Sequence, residues 1–290
     1  MGGTAKRITS SYQSISSTLV NAERLLQLLY TEPSVADAKS FEELVVHDGE
    51  VKFQNVEFAY DQRKPVIKNL NLIAEPGKTV AIIGPTGGGK STITKLLFRL
   101  YDVCEGSITI DGQDLRHVTL SSLRRAIGIV PQDHEMLNRS ILENVRYSRL
   151  DATDEEVVDA CKAAAIHDKI MEFPDCYEAK VGEEGVRLSG GEIQRLAITR
   201  VLLKNPKTVV PDEATSAVDT STEAQIQETF HLLSSGRTLF VIAHRMSTIT
   251  GVDNILVVRD GEIAESGTHD ELLEKRGEYT KFWQKGGYGL

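Results

Sequence analysis

Three stretches of the sequence combine residue types and spacings that suit phosphate chemistry, and the first is residues 84–91, GPTGGGKS. Its glycines allow the backbone to wrap around an anion, and its lysine is followed directly by a serine. An apolar strand pattern precedes the loop, and apolar residues at helical spacing follow it. The loop is therefore predicted to end at a helix N-terminus, with Lys90 reaching the β- and γ-phosphates and Ser91 ligating Mg²⁺.

The second stretch, residues 208–219, reads TVVPDEATSAVD and places two adjacent carboxylates after an apolar strand. Metal-assisted phosphoryl transfer needs one carboxylate near Mg²⁺, here Asp212, and a general base that faces the attacking water, here Glu213. An acidic pair after a strand is also compatible with a plain surface position, so this interpretation depends on the loop at residues 84–91. Pro211 interrupts the last step between this strand and the carboxylates, and a proline is unfavourable in a strand because it has no N–H for the ladder.

The third stretch, LSGGEIQR at residues 188–195, predicts another helix start that is suited to an anion. Ser189 and Glu192 have the spacing of a capping box, and apolar residues on one helical face follow them. The N–H groups at such a helix start, together with the helix dipole, favour a negatively charged ligand.

The elements that must position these stretches alternate between strand and helix patterns. Runs of β-prone residues occupy residues 51–60, 69–74, 79–83, 208–210 and 238–243. The pattern at about 135–203 is mostly helical, and Asp111-Gly112 and Asp260-Gly261 each predict a hairpin between β-prone segments. The predicted fold class is α/β, with a parallel-sheet core, an antiparallel β subdomain and an inserted helical subdomain.

The sequence divides into four predicted segments. Residues 1–30 carry apolar side chains at spacings of three and four, which predicts an amphipathic helix. Residues 31–48 are rich in acidic side chains with little periodicity and indicate a linker. The main domain is predicted to cover residues 49–285, and residues 286–290 are expected to form a short tail.

Composition limits the classes of protein to which the chain can belong. Its 290 residues, 40% of them hydrophobic, can build a sizeable core, and 33 basic against 42 acidic residues give a net charge of -9. That charge repels nucleic-acid backbones, so no nucleic-acid partner is expected. No apolar run reaches the roughly 18 to 20 residues that span a bilayer, so direct membrane insertion is not expected. The three cysteines fit no metal-binding spacing and are expected to be reduced thiols.

In chain order, GPTGGGKST, LSGGEIQR and PDEATSAVD resemble the motifs of the nucleotide-binding domain of ATP-binding cassette (ABC) transporters, and the resemblance covers roughly residues 49–285. It implies a P-loop NTPase core of the RecA-like type, with ATP and Mg²⁺ as ligands. It also implies that the phosphate loop contacts ATP through Gly84, Pro85, Thr86, Gly87, Gly88, Gly89, Lys90, Ser91 and Thr92.

Further residues match family motifs in the expected order. Tyr60 resembles the aromatic residue that stacks on adenine, and Gln132 resembles the glutamine that senses Mg²⁺ and water. His244 resembles the histidine that contacts the γ-phosphate, and Asp219 resembles the aspartate that links two sites across a dimer. Catalytic roles are therefore expected for Lys90, Gln132, Glu213 and His244, and metal ligation for Ser91, Gln132 and Asp212.

The family mechanism implied by the resemblance involves two cassettes that pair head to tail. Each ATP lies between the Lys90 loop of one cassette and the Ser189-Gly190-Gly191 helix start of the other. ATP binding closes the pair, and hydrolysis at Glu213 reopens it, which drives export of a substrate. The expected partners are ATP, a second identical or related cassette, and a transmembrane domain.

The N-terminal helix resembles the segment that follows the last transmembrane helix of an exporter, so the chain is expected to be a fragment. The cassette would be attached to a membrane through the missing domain and face the cytosol or the mitochondrial matrix, and the isolated fragment is expected to be soluble. The stretches LLFRLYDVCEGSITIDGQDL, SSLRRAIGIVPQD and AAIHDKIMEFPD resemble half-transporters of the heavy-metal-tolerance and mitochondrial exporter group.

Two alternatives to an active transport ATPase are compatible with parts of the sequence. Pro211 stands where the family strand normally continues with an apolar residue, which leaves open a catalytically impaired cassette that binds ATP as a regulatory partner. A soluble ABC-type ATPase of DNA repair or translation is disfavoured, because no heptad tract separates Lys90 from Asp212 and the chain holds a single phosphate loop. The favoured interpretation is an Mg²⁺-dependent ATPase coupled to transport.

Overall fold

A computed structural model of the chain describes residues 2–37, 41–131, 135–182, 185–211, 231–243 and 249–285. The chain divides into two compact units, one ending at Ala36 and the other beginning at Asp37. The first unit contains helix α1, Gly2–Tyr30, where the sequence predicts a helix. Its described apolar side chains, such as Leu19 and Leu26, are exposed. Within the described ranges, no helix combines the length and apolar character that a membrane crossing requires.

The second unit contains an antiparallel four-stranded sheet with the strand order β2-β1-β4-β5. Its strands are β1 (Val51–Phe58), β2 (Ile67–Ala74), β4 (Glu105–Ile110) and β5 (Gln113–Asp114). Buried residues alternate with more exposed ones along most of β2, because one face of the sheet packs on the core. Asp111 and Gly112 connect β4 to β5 with φ angles of 48° and 77°, which confirms the first predicted hairpin.

A six-stranded sheet with the order β12-β11-β3-β10-β9-β6 lies at the centre of this unit. Its strands are β3 (Thr79–Ile83), β6 (Ile127–Val130), β9 (Thr208–Pro211), β10 (Thr238–Ile242), β11 (Asn254–Arg259) and β12 (Glu262–Gly267). All pairs among them are parallel except that of β11 with β12. Asp260 and Gly261, at φ 52° and 87°, join that antiparallel pair and confirm the second predicted hairpin.

Some helices pack on this sheet, and others form a separate cluster beside it. The helices are α2 (Lys90–Leu97), α3 (Leu120–Ala126), α4 (Ile141–Arg146), α5 (Asp154–Ala163), α6 (His167–Met171), α7 (Gly190–Lys204), His269–Lys275 and Glu278–Lys285, and residues 231–234 are also helical. The short strands β7 (Arg139–Ser140) and β8 (Lys180–Val181) pair antiparallel within the α4–α7 region. Val145, Val157 and Leu196 share one buried core there, which reaches the sheet at Val209 and Val241.

The position of β3 is fixed by burial on both of its faces. Val80 and Ile82 belong to the core that the sheet shares with the antiparallel sheet and α2. Ala81 and Ile83 pack into a different core together with Tyr279 of the last helix. Alternation of side chains along a strand explains this division. The predicted α/β class, with its parallel core, antiparallel β subdomain and helical insertion, is confirmed.

The C-terminal half of the segment predicted as an acidic linker is fastened to the second unit. The Asp111 carboxylate accepts hydrogen bonds from the backbone N–H groups of residues 47–50. The side chain of Gln113 bonds both the N–H and the carbonyl of Val45, and Leu44 is buried in the core. This half of the segment is therefore a structured part of the domain, held by contacts that its acidic composition does not reveal.

Candidate functional site

The loop between β3 and α2 has a backbone course that requires glycine at two positions. Gly84 has a φ of 148°, and a Cβ there would overlap the carbonyl oxygen of Val258. Gly89 precedes α2 with a φ of 105°, and a Cβ there would lie 2.8 Å from Cδ1 of Ile67. Gly89 brings no capping side chain to the start of α2, which is a position where a bound anion can take the place of a cap.

Lys90, the first residue of α2, folds its side chain back over the loop. Its Nζ donates hydrogen bonds to the carbonyl oxygens of Gly84 at 2.8 Å and Pro85 at 2.9 Å, and the residue is only 7% exposed. A buried ammonium group requires such oxygen partners. Phosphate oxygens are stronger acceptors for the same donor, so the loop holds this cation where a polyphosphate would lie.

A cavity of about 310 Å³ opens against the loop and the start of α2. It is lined by Tyr60, Val66, Thr86, Gly87, Gly89, Lys90, Ser91 and Thr92. The fold therefore brings Tyr60, from the connection between β1 and β2, next to the predicted phosphate loop. Gly84, Pro85 and Gly88 form the loop without lining this cavity, and Val66 lines it although no motif indicated a role for that residue.

The ring of Tyr60, which lines the cavity, packs against three other side chains. Its centroid lies 4.8 Å from that of Phe58 and 5.1 Å from that of Tyr101, with both ring pairs nearly perpendicular at 86° and 88°. The Nζ of Lys95 lies over the same ring, 5.8 Å from the centroid. Oγ1 of Thr92 lies 3.3 Å from the Tyr60 hydroxyl. Thr92 and Lys95 are three residues apart on α2, so the sequence could have indicated that their side chains share one face of the helix. Tyr101 carries no such signal, because its contact depends on how the chain turns after α2.

The start of α7 has the capping box that the sequence predicts. The backbone N–H of Ser189 donates to Oε2 of Glu192 at 2.7 Å, and the N–H of Glu192 donates to Oγ of Ser189 at 3.4 Å. Ser189, Gly190 and Gly191 are all exposed, and none of them lines the cavity beside the phosphate loop. The start of α7 therefore does not line the cavity that the start of α2 lines.

Five residues with expected roles, Gln132, Asp212, Glu213, Asp219 and His244, lie outside the described residues. Strands β6, β9 and β10, which precede them in the chain, are described and run parallel to β3 in the order β3-β10-β9-β6. The carboxyl ends of these strands share one edge of the sheet with the phosphate loop. Open α/β sheets bind their ligands at this edge.

Pro211 is buried and is the last residue of β9. The register between β6 and β9 continues from Ile127 opposite Thr208 to Val130 opposite Pro211. Pairing of β9 with β10 involves only Thr208 and Val209. The proline therefore does not break the register with β6, and it lies beyond the described pairing with β10, where a missing N–H is least unfavourable.

The family described as "ABC transporter" matches residues 67–216, just over half of the chain. The heavy metal tolerance protein of Schizosaccharomyces pombe is 52% identical over 273 residues, which are 94% of this chain and 33% of that protein. Human ATP-binding cassette sub-family B member 6 is 45% identical over 273 residues, or 94% and 32% of the two chains. The mitochondrial iron-sulfur clusters transporter ATM1 of Gibberella zeae is 46% identical over 277 residues, or 94% and 40%.

A solved structure described as a bacterial Atm1-family ABC exporter with ATP bound has a similar fold, with a TM-score of 0.82 and 47% sequence identity. The similarity covers 94% of this chain and 48% of that chain. The chain spans about a third of the length of the curated relatives it matches. These similarities confirm the resemblance to the heavy-metal-tolerance and mitochondrial exporter group that the sequence motifs indicated.

Proposed function

This chain belongs to the ABC transporter family, and we propose that it is the ATP-binding and ATP-hydrolysing cassette of an exporter. Export would proceed through a transmembrane domain, which no described helix of this chain can supply, with the cassette on the cytosolic or mitochondrial-matrix side of the membrane. The length of the relatives supports this division, since the chain matches about a third of each and leaves room for such a domain.

The observation that carries the proposal is the cavity that joins Tyr60 to the phosphate loop. At one end, the start of α2 and the ammonium group of Lys90 favour a polyphosphate. At the other end, the half-exposed ring of Tyr60 offers a stacking surface, which contributes roughly 1 to 3 kcal/mol per nucleobase in comparable sites. An anionic end and an aromatic end within one cavity fit a nucleoside triphosphate.

Mg²⁺ is the proposed metal, with Ser91, Gln132 and Asp212 as its protein ligands. Ser91 lies in the first turn of α2 with its side chain exposed beside the cavity, which is compatible with this role. Hydroxyl, amide and carboxylate oxygens form the kind of donor set that Mg²⁺ takes, together with phosphate oxygens. When bound, the ion neutralises charge that develops on the β- and γ-phosphates.

In the proposed reaction, Glu213 orients the attacking water and accepts its proton, while His244 contacts the γ-phosphate and Gln132 senses the occupied site. Lys90 stabilises the negative charge of the phosphoryl group through its ammonium donors. The shared sheet edge supports these roles, because β10, which leads to His244, lies beside β3, which leads to the phosphate loop, and β9, which leads to Glu213, lies beside β10.

The functional unit is proposed to be a head-to-tail dimer of cassettes. The exposed start of α7 does not line the cavity of its own chain, so Ser189, Gly190 and Gly191 would contact the nucleotide of a second cassette. Asp219 would link the two sites. ATP can then shift the equilibrium towards the closed dimer, because it has contacts there that it lacks in the separated chains.

An impaired cassette is the alternative, and it depends on Pro211 disturbing the strand that leads to the two carboxylates. The register of β9 with β6 through this residue supports the active enzyme instead.

ATP turnover by the 290-residue chain, with and without Mg²⁺, tests the proposal against that alternative. The parent chain is expected to hydrolyse ATP, and Glu213→Gln should reduce turnover by roughly 100-fold or more while retaining ATP binding. Lys90→Ala should weaken ATP binding itself. A parent chain that binds ATP and yet is no more active than Glu213→Gln would contradict hydrolysis and favour the regulatory alternative. Light scattering of Glu213→Gln at saturating ATP should show a dimer, and a purely monomeric profile would contradict the shared site.

A further inference from the structure

Helix α2 contacts Tyr60 through both of its turns. Near its start, Oγ1 of Thr92 lies 3.3 Å from the Tyr60 hydroxyl, and in its second turn Lys95 lies over the ring. Just beyond its end, Tyr101 packs nearly perpendicular to the Tyr60 ring. The same helix begins at Lys90, in the phosphate loop. One short helix therefore connects the phosphate end of the cavity to its aromatic end.

The chain segment that carries Tyr101 is held rigidly after α2. Arg99, 4% exposed and at a φ of 47°, turns the chain at this point. Its Nε donates to Oδ1 of Asp102 at 2.7 Å, and one of its terminal nitrogens donates to the carbonyl of Val118 at 3.1 Å. These bonds link the side chains of the residues on both sides of Tyr101 to each other and to Val118. The Tyr101 ring also lies 5.5 Å from that of Phe58, so the three rings form one cluster.

We infer that Tyr101 is a positioning residue for nucleobase binding, which holds the plane of the Tyr60 ring at a fixed distance from the phosphate loop. This inference rests on the proposed stacking of a nucleobase on Tyr60. Perpendicular ring packing is a favourable arrangement that limits rotation of the half-exposed Tyr60 side chain. A ring that is ordered before the ligand arrives loses less side-chain freedom on binding.

The inference predicts a difference between ligands that have a base and ligands that do not. Stacking on an aromatic ring tolerates any base, so ATP and GTP should both depend on Tyr101. Inorganic tripolyphosphate reaches only the loop and the start of α2, and its binding should not depend on Tyr101. Loss of folding would weaken binding of all three ligands alike, which separates positioning from a purely structural role.

Isothermal titration of the 290-residue chain and its variants with ATP, GTP and tripolyphosphate tests this inference. Tyr60→Ala should weaken nucleotide binding by roughly 5- to 150-fold, the range known for loss of base stacking. Tyr101→Leu should weaken it by roughly 2- to 10-fold, and Tyr101→Phe, which keeps the ring, should restore it. Tripolyphosphate affinity should stay unchanged in all of them. Tyr147→Leu is the matched control, because Tyr147 is a 65% exposed tyrosine outside the ring cluster, and its loss should alter neither affinity.

The possible outcomes are distinguishable. Unchanged nucleotide affinity in Tyr101→Leu, together with a loss in Tyr60→Ala, would overturn the positioning role and leave the stacking role intact. Unchanged affinity in Tyr60→Ala would refute base stacking and therefore both statements. An equal loss for tripolyphosphate and ATP in Tyr101→Leu would also overturn the inference, because it would show general damage to the site.

Discussion

The carboxylate of Asp111 fastens four consecutive backbone N–H groups to the β4–β5 hairpin, and its replacement by Asn tests how strongly. Oδ2 accepts from His47 at 2.8 Å and Asp48 at 3.1 Å, while Oδ1 accepts from Gly49 at 2.9 Å and Glu50 at 2.8 Å. The Gly49 N–H also lies 3.2 Å from Oδ2. Asp111→Asn keeps one oxygen and adds an amide donor, so at least two of these hydrogen bonds lose their acceptor. Asn also tolerates the φ of 48° at this position.

The expected loss follows from the two hydrogen bonds that Asn cannot accept. Hydrogen bonds to a charged acceptor contribute about 1.5 to 3 kcal/mol each, but Asp111 is only partly buried, and water can replace the acceptor. The neutral range of about 0.5 to 1.5 kcal/mol per bond is therefore appropriate, which gives a loss of about 1 to 3 kcal/mol in the free energy of unfolding. In a chain of this size the loss lowers Tm by roughly 2 to 5 °C.

The same contact predicts a pH dependence. Partial burial by itself raises the pKa of the Asp111 carboxyl, but the N–H donors of residues 47–50 outweigh burial and hold the pKa below its usual value. A carboxyl with a lower pKa in the folded state stabilises it fully above the unfolded-state pKa, which is about 3.9. The contribution is lost as the pH falls through the folded-state pKa. The parent and Asp111→Asn should therefore differ most at neutral pH and converge in acid.

Calorimetry and amide hydrogen exchange measure the two consequences. The amides of residues 47–50 should exchange faster in Asp111→Asn, while those of β3 stay protected. Asp260→Asn is the matched control, since Asp260 occupies the other Asp-Gly hairpin at a φ of 52° but has a carboxylate that is 86% exposed and pairs with Arg259 at 3.6 Å. Its effect should stay below about 0.5 kcal/mol. Equal effects of the two substitutions on stability and exchange would refute the reasoning.

Substitutions at two further positions test β9 and α7, which precede the proposed catalytic carboxylates in the chain. Pro211→Leu should leave ATP turnover within about threefold of the parent, because β9 already keeps its register with β6 through the proline. A misplacement of about 1 Å lowers a rate by about 100-fold. A rise in turnover approaching that factor would therefore show that the proline displaces the carboxylates. Ser189→Ala should reduce the free energy of unfolding by about 0.5 to 2 kcal/mol, because the side chain that caps α7 at the Glu192 N–H is lost. Ser189→Asp should retain the cap and the stability. Equal thermal unfolding of the two variants would contradict the capping role of Ser189.

Local rules were sufficient where the physical cause lies within a few residues of sequence. The Asp-Gly pairs at 111 and 260 adopt the positive φ angles of tight hairpins because such turns need residues that tolerate this conformation. Ser189 and Glu192 form a capping box because both partners belong to one helical turn. The fold class followed from the alternation of strand and helix patterns, and the structure confirms it.

Contacts between segments that are distant in the chain could not be predicted from the sequence. The acidic composition of residues 31–48 indicated a linker, yet Asp111 and Gln113 hold residues 45–50 against the hairpin. Composition indicates how polar a segment is on average. Whether its backbone is ordered depends on a few acceptors that bind its N–H groups, and these can lie far away in the sequence. The predicted catalytic carboxylates, the glutamine and the histidine lie outside the described residues, so their roles remain predictions.

By itself, the sequence determined the family, the glycine-rich loop before α2 and the two helix starts, because glycine spacing, capping residues and apolar periodicity act over short distances. Only the tertiary structure decided that Tyr60 lies in the same cavity as Lys90, and that Tyr101 supports its ring. The physical reason is that β1 and α2 meet through a shared core, and the turn at Arg99 sets where the chain goes next. Those placements depend on packing between elements far apart in the chain, which no local pattern records.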